Sequence, residues 1–193
     1  EKARQSSCLS NMKQLALGVL MYAQDYDERV NLQYHHAGDA SRWTLLEPGG
    51  RSVWYVYIEP YLNNREILEC PSQTRDYFRV QDSSGNSTVS DPVLGYGWNY
   101  NLCYIQPVKL ARFVEPAYTI MLVEYDGSYP YGRWFNQSDA GSSNRPWAHS
   151  RHSEGSNYAF YDGHVKWMSN QLVPHGSGEP YASREFRMDP DWP

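Results

Sequence analysis

Six histidines, three cysteines and a scatter of carboxylates are the groups with which this chain could do chemistry. His149 and His152 stand three apart, with Asp162 and His164 shortly after, a set that invites a transition metal. Zinc requires three or four ligands converging on one point. Residues 157–168 read as a β-hairpin, with aromatic and β-branched residues flanking a two-residue Asp162-Gly163 loop that suits a type I′ turn. That geometry sets His164 beside Tyr161 and leaves Asp162 in the turn, so convergence with His152 needs the loop to fold back. The simpler expectation is that His152 hydrogen-bonds backbone and fixes the lead-in to the hairpin.

Cys8, Cys70 and Cys103 are odd in number, so one disulfide and one thiol are expected, with a connectivity the spacing does not fix. Their spacing matches no Cys-x-x-Cys metal or redox motif, and a buried thiol acting as a small apolar side chain would serve for any of them. Glu124 and Asp126 are the one couple that resembles a catalytic carboxylate pair. Two apart on a strand they share a face, and they could reach the separation used in glycoside hydrolysis. Against this, they adjoin an Asp-Gly pair typical of a solvated turn, and no nucleophile elbow, phosphate loop or zinc-hydrolase helix is present. The chain is expected not to be an enzyme.

The elements that must hold these groups begin with a helix at about 4–26. Cys8, Met12, Leu15, Val19, Tyr22 and Tyr26 recur at steps of four and three, a single apolar stripe that Leu9, Ala16, Leu20 and Ala23 widen. Glu1 to Gln5 already reads as helix interior, with no Ser, Thr, Asp or Asn ahead of it as a cap, so a preceding segment is expected to be missing. After Asp27 the helical period disappears. Ser52 to Tyr61 suits either a strand or a short helix, and Thr119 to Tyr125 is a compact β-type run expected to form a central strand. Residues 82–92 and 136–147 read as surface loops, and 174–193, with its four prolines, as an irregular tail. The whole is expected to be one domain over 1–193, of α+β class: an N-terminal amphipathic helix on an antiparallel sheet at about 95–168, with long loops.

A net charge of −5 gives no basic footprint for nucleic acid, and no apolar run approaches the roughly 20 residues of a membrane-spanning helix. With 17 Tyr and 7 Trp against 5 Phe, rings with a polar tip dominate. They suit half-buried strand faces and subunit contacts, and also the flat faces of sugars. If Trp43, Trp54, Trp98, Trp134 and Trp147 are exposed, they could stack on polysaccharide.

Five stretches carry a family resemblance. Nine residues separate His152 from Asp162-Gly163, and Glu1 to Leu15 runs on to Met21-Tyr22-Ala23-Gln24-Asp25-Tyr26-Asp27-Glu28. Between them lie Cys70-Pro71-Ser72, Gly95-Tyr96-Gly97-Trp98-Asn99, and Glu115-Pro116 ahead of Thr119 to Val123. In this order, over roughly residues 1–168, they resemble the bacterial pilin-like proteins with prepilin-type cleavage and methylation signals and a His-x9-Asp-Gly motif (DUF1559-like).

The resemblance implies a pilin-like fold and a structural subunit of a type IV pilus-like filament or type II secretion pseudopilus. It implies partners in further copies, other pilin-like subunits and the envelope assembly machinery, and a periplasmic or extracellular location. Before assembly, a missing apolar half-helix would hold the subunit in the membrane. The stripe that includes Met12, Leu15, Val19 and Tyr22 marks the self-assembly helix, packing its own sheet while the opposite face meets neighbours. The resemblance also favours a Cys8–Cys70 disulfide, with Cys70–Cys103 as the alternative, and leans towards helix for the Tyr-rich segment before Tyr61. Related pseudopilins hold calcium in a C-terminal loop, for which Glu124, Asp126, Asp139 and Asp162 are the oxygen donors to consider.

Overall fold

The computed structural model describes residues 1–30, 54–73, 78–81, 87–90, 94–98, 107–124 and 151–169. Helix α1 (Lys2–Asp25) runs for 24 residues, about 36 Å at 1.5 Å per residue. Cys8, Met12, Leu15, Val19 and Ala23 are fully buried along one side. The helix stops where Asp27 and Glu28 take positive φ (54° and 57°), which turns the chain into β1 (Arg29–Val30).

The apolar stripe does not run its predicted length. Tyr22 is only half-buried and Tyr26 is 54% exposed. Their rings stack on each other at 4.3 Å, and Tyr22 meets Tyr57 and Tyr61 edge-on. Tyr61 donates to Asp25 at 2.6 Å, so tyrosines, not core aliphatics, fasten the end of the helix.

The Tyr-rich segment is helical, α2 (Trp54–Ile58) tightening into a 3-10 turn at Glu59–Tyr61. A second 3-10 turn, Arg65–Leu68, is capped by Asn64, whose side chain accepts from Glu66 N–H. Strands β2 (Phe78–Gln81) and β3 (Ser87–Ser90) pair antiparallel. Part of the stretch expected to be loop, 82–92, is therefore strand: the β-branched Thr88 and Val89 outweigh the serines around them. The rest of that stretch, residues 136–147 and the tail 174–193 lie outside the described residues.

The main sheet joins β4 (Tyr96–Trp98), β6 (Ile120–Glu124), β7 (Gly155–Phe160) and β8 (Val165–Ser169), all antiparallel in that order. Strand β5 (Val108–Lys109) pairs instead with β1. The run Ile120 to Glu124 is indeed central, flanked by β4 and β7, and all five of its residues are buried. Met121, Leu122, Ala159, Tyr96 and Trp98 share the core that contains α1, while Ile120, Val123, Tyr158, Phe160 and Met168 form a second cluster.

The β7–β8 connection differs from the expected two-residue turn. Gly163 N–H donates to Phe160 C=O at 2.8 Å, Phe160 N–H donates to His164 C=O at 3.0 Å, and only Gly163 has positive φ (85°). This is the three-residue form, a turn followed by a left-handed glycine. Asp162 accepts from His164 N–H at 2.9 Å, holding the turn from within. His164 consequently faces Phe160, with the rings stacked at 4.2 Å, and not Tyr161. The paired positive φ angles that define a type I′ turn occur nine residues earlier, at Ser153 (52°) and Glu154 (61°). There His152 and Gly155 exchange both backbone hydrogen bonds, at 3.2 and 3.1 Å.

Candidate functional site

Four elements deliver side chains to one buried point beneath the start of α1. The helix brings Glu1 and Cys8. The loop after the second 3-10 turn brings Cys70, its backbone pinned by Asn11 and Tyr96, which both donate to Glu69 C=O (3.1 and 3.5 Å). The last residue of β6 is Glu124, and the tight Ser153-Glu154 turn sets His152 at the threshold of β7. Trp167 closes over it, donating its indole N–H to His152 C=O at 2.8 Å. A Cβ on Gly155 would overlap the Met168 carbonyl and the Trp167 ring, so this close approach needs glycine.

Cys8 and Cys70 form a disulfide with Cα atoms 5.3 Å apart. Their sulfurs, a Glu124 carboxylate oxygen and a His152 ring nitrogen all lie within 4.8 Å of one another, and all four residues are buried. His152 Nε2 is 2.8 Å from Glu124 Oε1 and 3.5 Å from Cys70 Sγ, while Nδ1 is 2.6 Å from Glu1 Oε1. Asn157 holds the far side of the Glu124 carboxylate, its N–H donating to Oε2 and its Nδ2 to Oε1, both at 2.8 Å. Glu1 is also held by Arg4 at 3.0 Å and by the Ser72 hydroxyl at 3.0 Å.

Two carboxylates, one at each ring nitrogen, ask His152 to donate from both, which only the imidazolium can do. Burial alone would lower the His152 pKa, but the hydrogen bonds and charges of Glu124 and then Glu1 outweigh it and raise the value above 6.5. In return, the His152 ring and then Arg4 pull Glu1 down from 4.5 to about 2. Tyr96 and Tyr158 have their pKa values raised, mainly by burial.

The outcome for the sequence-predicted residues is mixed. His152 does fix the start of β7 through its backbone, but its ring binds carboxylates, contrary to expectation: with the ring fully buried between Glu1 and Glu124, charged acceptors take both nitrogens. Asp162 pairs with His164 Nδ1 at 2.6 Å in the half-exposed turn, apart from the four-residue cluster. Gly163 serves the turn, and its C=O accepts from Lys13 Nζ at 2.6 Å, tying the hairpin tip to α1.

Met12, Leu15 and Val19 lie within the core, so the apolar residues that α1 presents outward are others, Leu17 and Met21. Trp54 and Trp98 are fully buried with rings 5.9 Å apart, which removes them from any sugar-stacking surface. Cys103, Asp126, Asp139, His149, Trp43, Trp134 and Trp147 lie outside the described residues. Glu1 and Asn157 were not anticipated. The one signal for Asn157 is an amide leading directly into the aromatic strand run Tyr158-Ala159-Phe160, a position that demands a partner.

No curated protein and no solved structure matches the chain. Residues 1–101 match the family model described as "SBP_bac_10, protein of unknown function (DUF1559)". The match takes in α1, Cys8, Cys70 and β4, and ends before Glu124 and His152. It spans more than half of the 193 residues, and the chain belongs to this DUF1559 family.

Proposed function

We propose that the chain is a pilin-like structural subunit acting by polymerisation, in a type IV pilus-like filament or a type II secretion pseudopilus, and not an enzyme. The observation that carries this reading is the two-sidedness of α1. Its inner side is locked into the sheet and the disulfide, yet Leu17 and Met21, one turn apart on its outer side, are 44% and 48% exposed. An apolar pair on a long helix fits a neighbour's surface, and a contact between different faces of identical subunits propagates without closing. Among the described residues no helix is long and apolar enough to cross a membrane. In this reading a preceding apolar half-helix anchors the subunit in the cell envelope before assembly, and other pilin-like subunits and the envelope assembly machinery are its partners. Membership of the family and the α+β fold support the reading.

The test is electron microscopy of the full-length precursor expressed in its own cells, with Leu17→Glu and Met21→Glu combined. Surface changes of this kind alter stability by about 0.5 kcal/mol or less. Filaments should be lost while the melting temperature of the soluble chain is retained. Undiminished filaments in the double variant would overturn the role of this face, and a native chain that begins at Glu1 would overturn the filament reading itself.

A further inference from the structure

We propose that Cys8, Cys70, His152 and Glu124 form a zinc site when the two cysteines are reduced, so that one buried cluster holds either a disulfide or a metal. Four donor atoms with sulfur, nitrogen and oxygen ligation are the set zinc takes. Zinc–ligand bonds of 2.0–2.3 Å in a tetrahedron place neighbouring donors about 3.3–3.8 Å apart. The observed separations lie around that range: Cys70 Sγ to His152 Nε2 is 3.5 Å, Cys70 Sγ to Glu124 Oε1 is 4.0 Å, and Nε2 to Oε1 is 2.8 Å. To become ligands, the sulfurs must part from a bonded separation to about 3.7 Å, under 1 Å of movement each.

The surrounding groups are those a metal centre requires. A zinc-ligating histidine donates its other ring N–H to a carboxylate, which fixes the ring and strengthens the ligand. Glu1 Oε1, 2.6 Å from Nδ1, occupies that place. Ligating carboxylates are themselves hydrogen-bonded, and Asn157 grips Glu124 through two donors. Thiolate and imidazole among the donors disfavour calcium, which prefers an all-oxygen shell.

A thiol or dithiol reductant gives two electrons and two protons to the Cys8–Cys70 bond and leaves as its own disulfide. Zinc then displaces the two thiol protons, and the Nε2 proton of the imidazolium, to solvent as its bonds to sulfur and nitrogen form. Reoxidation by a disulfide, which takes the two electrons from the thiolates and two protons from solvent and leaves as two thiols, re-forms the Cys8–Cys70 bond, removes both thiolate ligands at once and releases the zinc ion to solvent. A reducing compartment therefore favours the metal form and an oxidising one the disulfide.

The test uses the full 193-residue chain with Cys103→Ser, purified once oxidised and once under a phosphine reductant, each equilibrated with zinc or cobalt and then desalted. The reduced protein should retain one equivalent of zinc, show the charge-transfer and ligand-field bands of tetrahedral cobalt–thiolate, and have Cys8 and Cys70 protected from alkylation. The oxidised protein should retain none. Cys70→Ser and His152→Ala should each abolish stoichiometric retention. Should the reduced chain lose its helical circular dichroism, recovery of that signal on adding zinc also supports the site. The proposal is overturned if the reduced protein, folded or unfolded, takes up no stoichiometric zinc, or if uptake persists without His152 and Cys70.

Discussion

Replacing His152 by Ala in the oxidised protein removes the cation between two carboxylates. Glu124 is fully buried, as is His152, so the variant leaves a carboxylate in the interior that keeps the Asn157 donors but has lost its cationic partner. Breaking one partner out of a buried pair costs about 3–5 kcal/mol, a large part of the about 5–15 kcal/mol that holds a domain together. Urea unfolding followed by fluorescence of the buried Trp54 and Trp98 should show that loss with an unchanged slope.

The pH dependence follows from the directions of the shifts. His152 has a raised folded pKa, so its contribution is complete below about 6.5 and disappears as pH rises through the raised value. Glu1 is depressed from 4.5 to about 2, so its contribution is present above 4.5 and is lost as pH falls through about 2. Wild type and variant should therefore differ most between about pH 4.5 and 6.5. A loss below about 1 kcal/mol, the range of a surface pair, or a difference indifferent to pH above 7, would refute the buried clasp.

Two further outcomes follow from the same region. Reducing the Cys8–Cys70 bond, which spans a sequence separation of 62, should cost about 4 kcal/mol by loop-closure entropy when measured in chelator, and an unfolding midpoint indifferent to reduction would count against the bond. Gly155→Ala should cost about 1–3 kcal/mol by pushing the Trp167 indole off its hydrogen bond to His152 C=O, detectable as a red-shifted tryptophan emission; native-like emission and midpoint would contradict the packing described.

The helix, the central strand and the hairpin were legible because each carries a local period: steps of three and four from Cys8 to Val19, a compact apolar run at Ile120, and turn residues between aromatic strands at Asp162. Turn type was less legible. Asp162-Gly163 has the composition of a type I′ turn, yet Asp162 folds onto its own backbone, whereas Ser153-Glu154 adopts that geometry without the expected residues because Gly155 and Trp167 impose it. The site was hardest to read. Its members are 151 positions apart at the extremes, and proximity of Glu1, Cys70, Glu124 and His152 is a product of strand order. The cysteines, the acid and the histidine were each noticed for other reasons, and only the fold brings them together.

The position of the clasp has a mechanical consequence. Glu1 caps the start of α1 and Cys8 lies in its second turn, and they are fastened to His152 at the threshold of β7 and to Cys70 in the loop after the second 3-10 turn. A pull applied to the start of the helix is therefore passed to the sheet within about 12 Å, through one covalent bond and one ionic one, before it reaches the Tyr22 and Tyr61 contacts at the other end. The helix behaves as a beam riveted at its loaded end. Unzipping must begin by breaking its strongest attachment, and the soft tyrosine end is shielded from the load.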